Sequence, residues 1–363
     1  MSPIAGFTRL RKHQFGRQAA FGTKVAATKA YPFKGTPSVD LAWTDPDIDV
    51  GSRDPVAPPY RGPSDVTAGL TDPMLAYNSL PILMSAFFGG DEAPAGAGTA
   101  KTWTFEPASV TVDDPDTYTY EFGDDVVNDW FQLGDGILES VEFSGPDGLG
   151  PISTSMTWRF GSAASSGSTD SPDSPSVPTA GLSVDTSAAI VYLKDMAIYI
   201  ASTPAALAAN QITDALHTFT MRLTQEVDQK RFANGDQAFD IDAYGPGKRG
   251  IELECTFAKT TDIVGTGSEA DAWFSDETVD RYVELKFISK VLAQGPGTYY
   301  SWDVVMPMRY YTRSEGEIGG NTTVVLTGHA FYDAVAGSGD LGHVFESTIV
   351  NTLTEAELGL AGS

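Results

Sequence analysis

The chain has 363 residues, 41% of them hydrophobic, and a formal net charge of −25. This supplies apolar mass for one large core or two ordinary ones and excludes a disordered chain, while 11% aromatics, 37 Gly, 22 Pro and short apolar runs favour strands over long helices. The lone cysteine, Cys255, excludes a disulfide framework and a cysteine-based zinc site and points to a reducing cytoplasm, and no apolar run nears the roughly 18–20 residues that cross a bilayer.

The first 39 residues contain seven Lys or Arg and no acid, so the other 324 carry a net −32. Residues 1–40 therefore read as a basic arm on an acidic body. Phe7, Phe15, Phe21, Tyr31 and Phe33 are spaced through it, whereas solvated tails are poor in aromatics. A transit peptide and a nucleic-acid arm fit less well: the acidic body repels phosphate, and no apolar stretch of secretory length follows Arg9–Arg17. Docking on another copy of the body suits the composition best, with Arg9, Arg11, Lys12 and Arg17 as complementary charges and Phe15 and Phe21 as anchors.

Trp43–Gly69 is rich in Pro and Asp and predicts an extended loop. A helix is expected next, capped by Asp72 with Pro73 at its first position, broken or restarted at Pro81 and ended by Gly89-Gly90. From Thr102 the period changes to two, through "TWTFEPASVTV", "DTYTYEFGDD", "GILESVEFSG" and "ISTSMTWRFG". In the last, Ile152, Thr154, Met156 and Trp158 share one face. Residues 161–189 hold nine Ser and three Pro and predict a flexible linker between strand-rich halves at about 100–160 and 190–335.

Strands resume in "AAIVYLKDMAIYIAS", "LHTFTMRLTQEV", "QAFDIDAYG" and "GIELECTFAK". "SEADAWFSDETVDRYVEL" reads as a helix capped by Ser268, with Ala272, Trp273, Val279, Tyr282 and Val283 in a stripe. "VELKFISKV", "YYSWDVVMPMRYYTRS" and a closing strand, "TTVVLTGHAFYD", follow, and 336–363 reads as a C-terminal tail. Gly145-Pro146 and Gly245-Pro246, each followed by Gly and a strand, hint at a duplicated strand–turn–strand unit.

Signals for chemistry are weak. "GSGDLG" (337–342) fits a dinucleotide fingerprint in letters but lacks the βαβ context, and "GTGSEA" at Gly265 places Glu269 and Asp271 where phosphates would sit. Asp45, Asp47 and Asp49 resemble a calcium loop but lack its Gly and closing Glu, and read as surface acids, as do Asp113, Asp114, Asp116, Asp124 and Asp125. His13, His217, His329 and His343 belong to no metal or triad signature, and Cys255 alternates with Ile251, Leu253 and Phe257 as a buried hydrophobe. No catalytic, cofactor or metal site is expected.

The order of elements carries a likeness. "GRQAAFGTKVAATKAYPF", a Pro/Asp-rich loop, "ILMSAFFGG", "TWTFEP", "LESVEFSG", "STSMTWRFG", then "KDMAIYI", "TFTMRLTQEV", "GIELECTFAK" and "VVLTGHAFYD" resemble, over most of residues 10–335, the major tail tube proteins of long-tailed bacteriophages. The resemblance implies a mainly β fold, an antiparallel sandwich or partly closed barrel with one or two flanking helices. It implies rings, usually of six, whose strands form one continuous β-barrel, stacked on a tape-measure protein between terminator and tip proteins as a conduit for DNA. Such a subunit is made in the bacterial cytoplasm, resides in the virion tail, touches no membrane and needs no cofactor. The rival reading is a carbohydrate- or protein-binding β-sandwich using Tyr299, Tyr300, Trp302, Tyr310 and Tyr311 as a platform, although period two makes these alternating core positions. A third is an acidic hydrolase.

Overall fold

Period-two alternation becomes antiparallel strand almost wherever it occurs. The computed structural model describes residues 11–44, 60–89, 94–96, 98–107, 116–124, 129–165, 182–185, 189–232, 241, 243–260, 263, 281–332 and 341–359. In chain order the elements are β1 (Lys12–Arg17), β2 (Lys29–Tyr31), β3 (Lys34–Thr44), β4 (Tyr60–Asp72), α1 (Leu80–Phe88), β5 (Lys101–Phe105), β6 (Tyr118–Asp124), β7 (Asp129–Gly145), β8 (Ser153–Phe160) and β9 (Ser162–Ser165). There follow β10 (Met196–Ala201), β11 (Gln211–Ile212), β12 (Leu216–Lys230), β13 (Ala243–Ala258), β14 (Arg281–Gln294), β15 (Thr298–Ile318), β16 (Asn321–Ala330), β17 (Glu346–Asn351) and α2 (Glu355–Leu358).

The register resolves these strands into two layers and a small third sheet. One layer has the order β3-β4-β8-β7-β12-β13-β16-β15. The other is β11-β10-β14-β15-β17-β5. Strand β15 belongs to both: Thr298–Met308 pairs with β14, and Met308–Ile318 pairs with β16 across a register shift at Tyr310/Thr312. Such a bulge lets a strand bend from one layer into the other. The first half of β7 pairs with β6 and β9, and β1 and β2 complete the small sheet β2-β1-β6-β7-β9. The strands form an antiparallel sandwich that is not closed into a barrel.

One contiguous core lies between the layers, with Trp103, Trp158, Trp302, Phe143 and Phe219 fully buried. The predicted face Ile152, Thr154, Met156, Trp158 points inward throughout, and each large apolar side chain there contributes roughly 1.5–3 kcal/mol by leaving water. Helix α1 packs against β5, β7 and β17 with all nine residues buried, as a helix apolar on every side must be. Its one polar side chain, Ser85, donates to Asp116 and accepts from the Tyr118 hydroxyl at 2.9 Å.

Several expectations need correction. The helix begins at Leu80 with Pro81 in its first turn; Asp72 instead ends β4 and accepts from the Met74 N–H. Pro81 lacks the N–H that a helix interior requires, so it marks a start. Tyr282 and Val283 lie in β14; residues 268–280 of that predicted helix fall outside the described residues. Gly245-Pro246 is inside β13, opposite Asp228 and Val227, so it matches no Gly145-Pro146 turn. Residues 162–165 of the predicted linker form β9, while 166–181 lie outside the described residues. Nor is β16 the last strand. From the presumed tail, β17 inserts between β15 and β5, and α2 ends the described chain with a Thr354–Glu357 capping box.

Candidate functional site

Among the described residues, the predicted docking residues do not form one surface. Arg9 lies outside the described residues. Arg11 is exposed and stands over the Phe122 ring at 5.4 Å, and Lys12 opens β1 opposite Gly123. Phe15 is 1% exposed and packs against Tyr31, Phe33, Tyr120 and Trp158, because β1 alternates with its neighbours like any core strand. Arg17 is half-buried in an ion pair with Asp116 at 2.6 Å, so Asp116 is no free surface acid. Phe21 meets Tyr244 edge-on at 5.5 Å. Residues 12–44 thus supply β1–β3 of the body, and Phe15 and Arg17 are spent within the chain itself.

The seam that holds β1 is polar. His13 Nδ1 is 2.8 Å from the Tyr120 hydroxyl, Gln14 Nε2 donates to Glu121 at 3.1 Å, and Gln132 Nε2 donates to the same carboxylate at 3.2 Å. Burial, aided by the Arg11 charge, lowers the His13 pKa from 6.5 to about 4. At neutral pH it is a neutral structural imidazole.

The remaining candidates for chemistry stay apart. His217 is 3.7 Å from Asp147 and His343 is 3.4 Å from Glu106, while His329 stacks on Tyr311 at 4.4 Å. Among the described residues no three His, Cys, Asp or Glu side chains group as metal ligands. Cys255 is fully buried, which pushes its thiol pKa up and leaves it unreactive. The calcium-like aspartates Asp45, Asp47 and Asp49 lie outside the described residues. Of the proposed aromatic platform, Tyr300, Trp302 and Tyr310 are buried and only Tyr299 and Tyr311 are exposed.

Two features of the eight-stranded layer stand out instead. Its outer face carries a cross-strand row, Ser155, Glu142, Arg222, Glu252, His329, Arg309, set by the register of β8, β7, β12, β13, β16 and β15. Arg222 bridges Glu142 at 2.6 Å and Glu252 at 3.3 Å. Arg159 is held by Glu139 at 3.0 Å and Asp65 at 3.2 Å. Between these pairs the face is largely hydroxyl-bearing: Ser140, Ser144, Ser153, Thr157, Thr220 and Thr224. Sequence alternation pointed to this polar face; the pairing of its charges depended on register, which no single strand reveals.

The second feature is its edges. Among the described residues, β3 pairs only with β4, and the Arg309–Ile318 stretch of β15 pairs only with β16. Both are long strands with one side's backbone donors and acceptors unused by the sheet, and Pro37 in β3 is a residue that sheets admit at edges.

Compared with known proteins, the chain matches no family model and no curated protein sequence.

Proposed function

We propose that this chain is the self-assembling structural subunit of a tail tube like those of long-tailed bacteriophages, without catalytic activity. The observation that carries this reading is the pair of long open edges on the eight-stranded layer. Such edges invite uncontrolled pairing in a lone molecule, and lateral pairing of β3 in one copy with β15 in the next removes them. Repeated around a ring, usually of six copies, this pairing makes one continuous barrel; rings then stack on a tape-measure protein, with terminator and tip proteins at the ends, in the virion tail.

The outer face of the same layer suits a DNA conduit. A phosphate binds where a cation is available to replace its counterions. Here Arg222 and Arg159 are already neutralised by carboxylates, and short hydroxyls fill the space between. DNA passing over this face finds little to hold it. Negative-stain electron microscopy of the concentrated protein, with its mass by light scattering, tests the proposal: rings or hollow tubes of uniform width are expected, and a monodisperse monomer at every concentration would refute it.

A further inference from the structure

The six-stranded layer turns its other face outward, and the register orders that face into rows. They run Glu284–Val305–Glu346, Lys286–Asp303–Thr348, Ile288–Ser301–Val350 and Leu292–Tyr299. Successive rows lie two residues apart along β14, or four at the bulge between Ile288 and Leu292, with two residues of strand spanning roughly 7 Å. The last two rows are mostly apolar and open: Ile288, Leu292 and Tyr299 are 46%, 48% and 42% exposed, with Val291 beside them at 50% and exposed Lys290 in the bulge between Ile288 and Leu292. Soluble proteins seldom leave large apolar side chains clustered in water without a partner.

The first two rows are acidic. Lys286 lies 2.9 Å from Glu284 and 2.8 Å from Asp303, while Glu346 stands near Glu106, itself 3.4 Å from His343. Four carboxylates thus face one lysine and one histidine. Burial pushes the Asp303 carboxyl up to about 6, and burial together with Glu106 raises Glu346, as carboxylates crowded without enough cations must be. The surface is an apolar strip that runs into an acidic one.

The segment preceding Arg11 has the complementary order. It contains Ile4, Phe7 and Leu10, the cation Arg9 and no acid. In extended form Phe7 and Arg9 are two residues, roughly 7 Å, apart, which is the step from the Ile288 row to the Asp303 row. The arm leaves β1 in the small sheet, which shares no strand with the six-stranded layer, so a second copy is the fitting donor. We propose that residues 4–10 of one copy dock along β14 and β15 of another, with Phe7 on the Ile288, Leu292 and Tyr299 strip and Arg9 between Asp303 and Glu346. This rests on the self-assembly reading above and names the surface that joins one ring to the next.

The test uses full-length protein. An untagged Phe7→Cys variant is mixed with an affinity-tagged Ser301→Cys variant and oxidised gently; buried Cys255 stays silent. The expected result is a disulfide-linked heterodimer on a non-reducing gel, several-fold more abundant than with a Ser140→Cys partner, whose cysteine lies on the other layer. Arg9→Glu should lower the yield several-fold, and Glu346→Lys in the partner should restore it. Equal linkage to Ser140→Cys, no linkage, or a Phe7→Cys/Ser301→Cys double variant that closes only within one copy would overturn the proposal. Microscopy of the same samples reads the tube assignment separately. Heterodimers without rings or tubes would refute the tube and leave the docking standing, and tubes without heterodimers would do the reverse.

Discussion

At the scale of single residues, burial outweighs charge in deciding what a side chain does. His13 is basic by composition, yet its imidazole is neutral because it sits against Tyr120 and Phe122 beside Arg11. Its folded pKa lies below the unfolded value, so the unfolded chain binds the proton more tightly and stability falls as pH drops from about 6.5 towards 4, by roughly 3 kcal/mol in all. Denaturant titrations of the parent and His13→Gln should therefore diverge below pH 6.5, the parent losing more; parallel curves would contradict the assignment. Asp303 behaves oppositely. Its folded pKa is raised to about 6, so its charge is a burden at neutral pH, and Asp303→Asn should leave the melting temperature unchanged or higher. A clear loss of stability would show that the Lys286 ion pair outweighs burial.

At the scale of elements, β17 shows why alternation alone can mislead. Its inward positions are Ser347, Ile349 and Asn351, two of them polar, which breaks the apolar signature of a strand. Each polar residue is matched to an indole: Trp302 Nε1 donates to Ser347 at 3.0 Å and Trp103 Nε1 to Asn351 at 3.0 Å, while Asn351 Nδ2 donates to the Tyr77 carbonyl. Asn351→Ala should cost about 1–3 kcal/mol for each buried group it orphans, read as a lower denaturation midpoint. Removing residues 341–363 should abolish cooperative unfolding, because β15 and β5 would lose the strand between them. A truncated protein that melts like the parent would restore the tail reading. Helix α1, by contrast, was legible as an apolar run between Pro81 and Gly89, whose φ of 76° ends it.

At the scale of the whole molecule, the basic arm divides at Arg11. Residues up to 10 carry the proposed contact, whereas β1 is woven into the small sheet between β6 and β2, and β2 is fastened by the Lys29–Glu357 pair at 2.6 Å. Deleting residues 2–10 should leave the melting temperature unchanged and abolish ring stacking in micrographs; deleting residues 2–20 should also destabilise the fold, since Phe15 would leave the core. An intact fold after the longer deletion would show that β1 is dispensable. By itself the sequence determined the mainly β class, the inward face of β8, the buried state of Cys255 and the opposition of a basic start to an acidic body. These follow from local period and composition, which act over a few residues. Only the tertiary structure decided that β1 and β17 belong to the body, that β15 serves two layers, which charges neutralise one another and which edges stay open. Those outcomes depend on pairing between strands up to hundreds of residues apart, and a one-residue change of register would invert the faces that local pattern leaves undetermined.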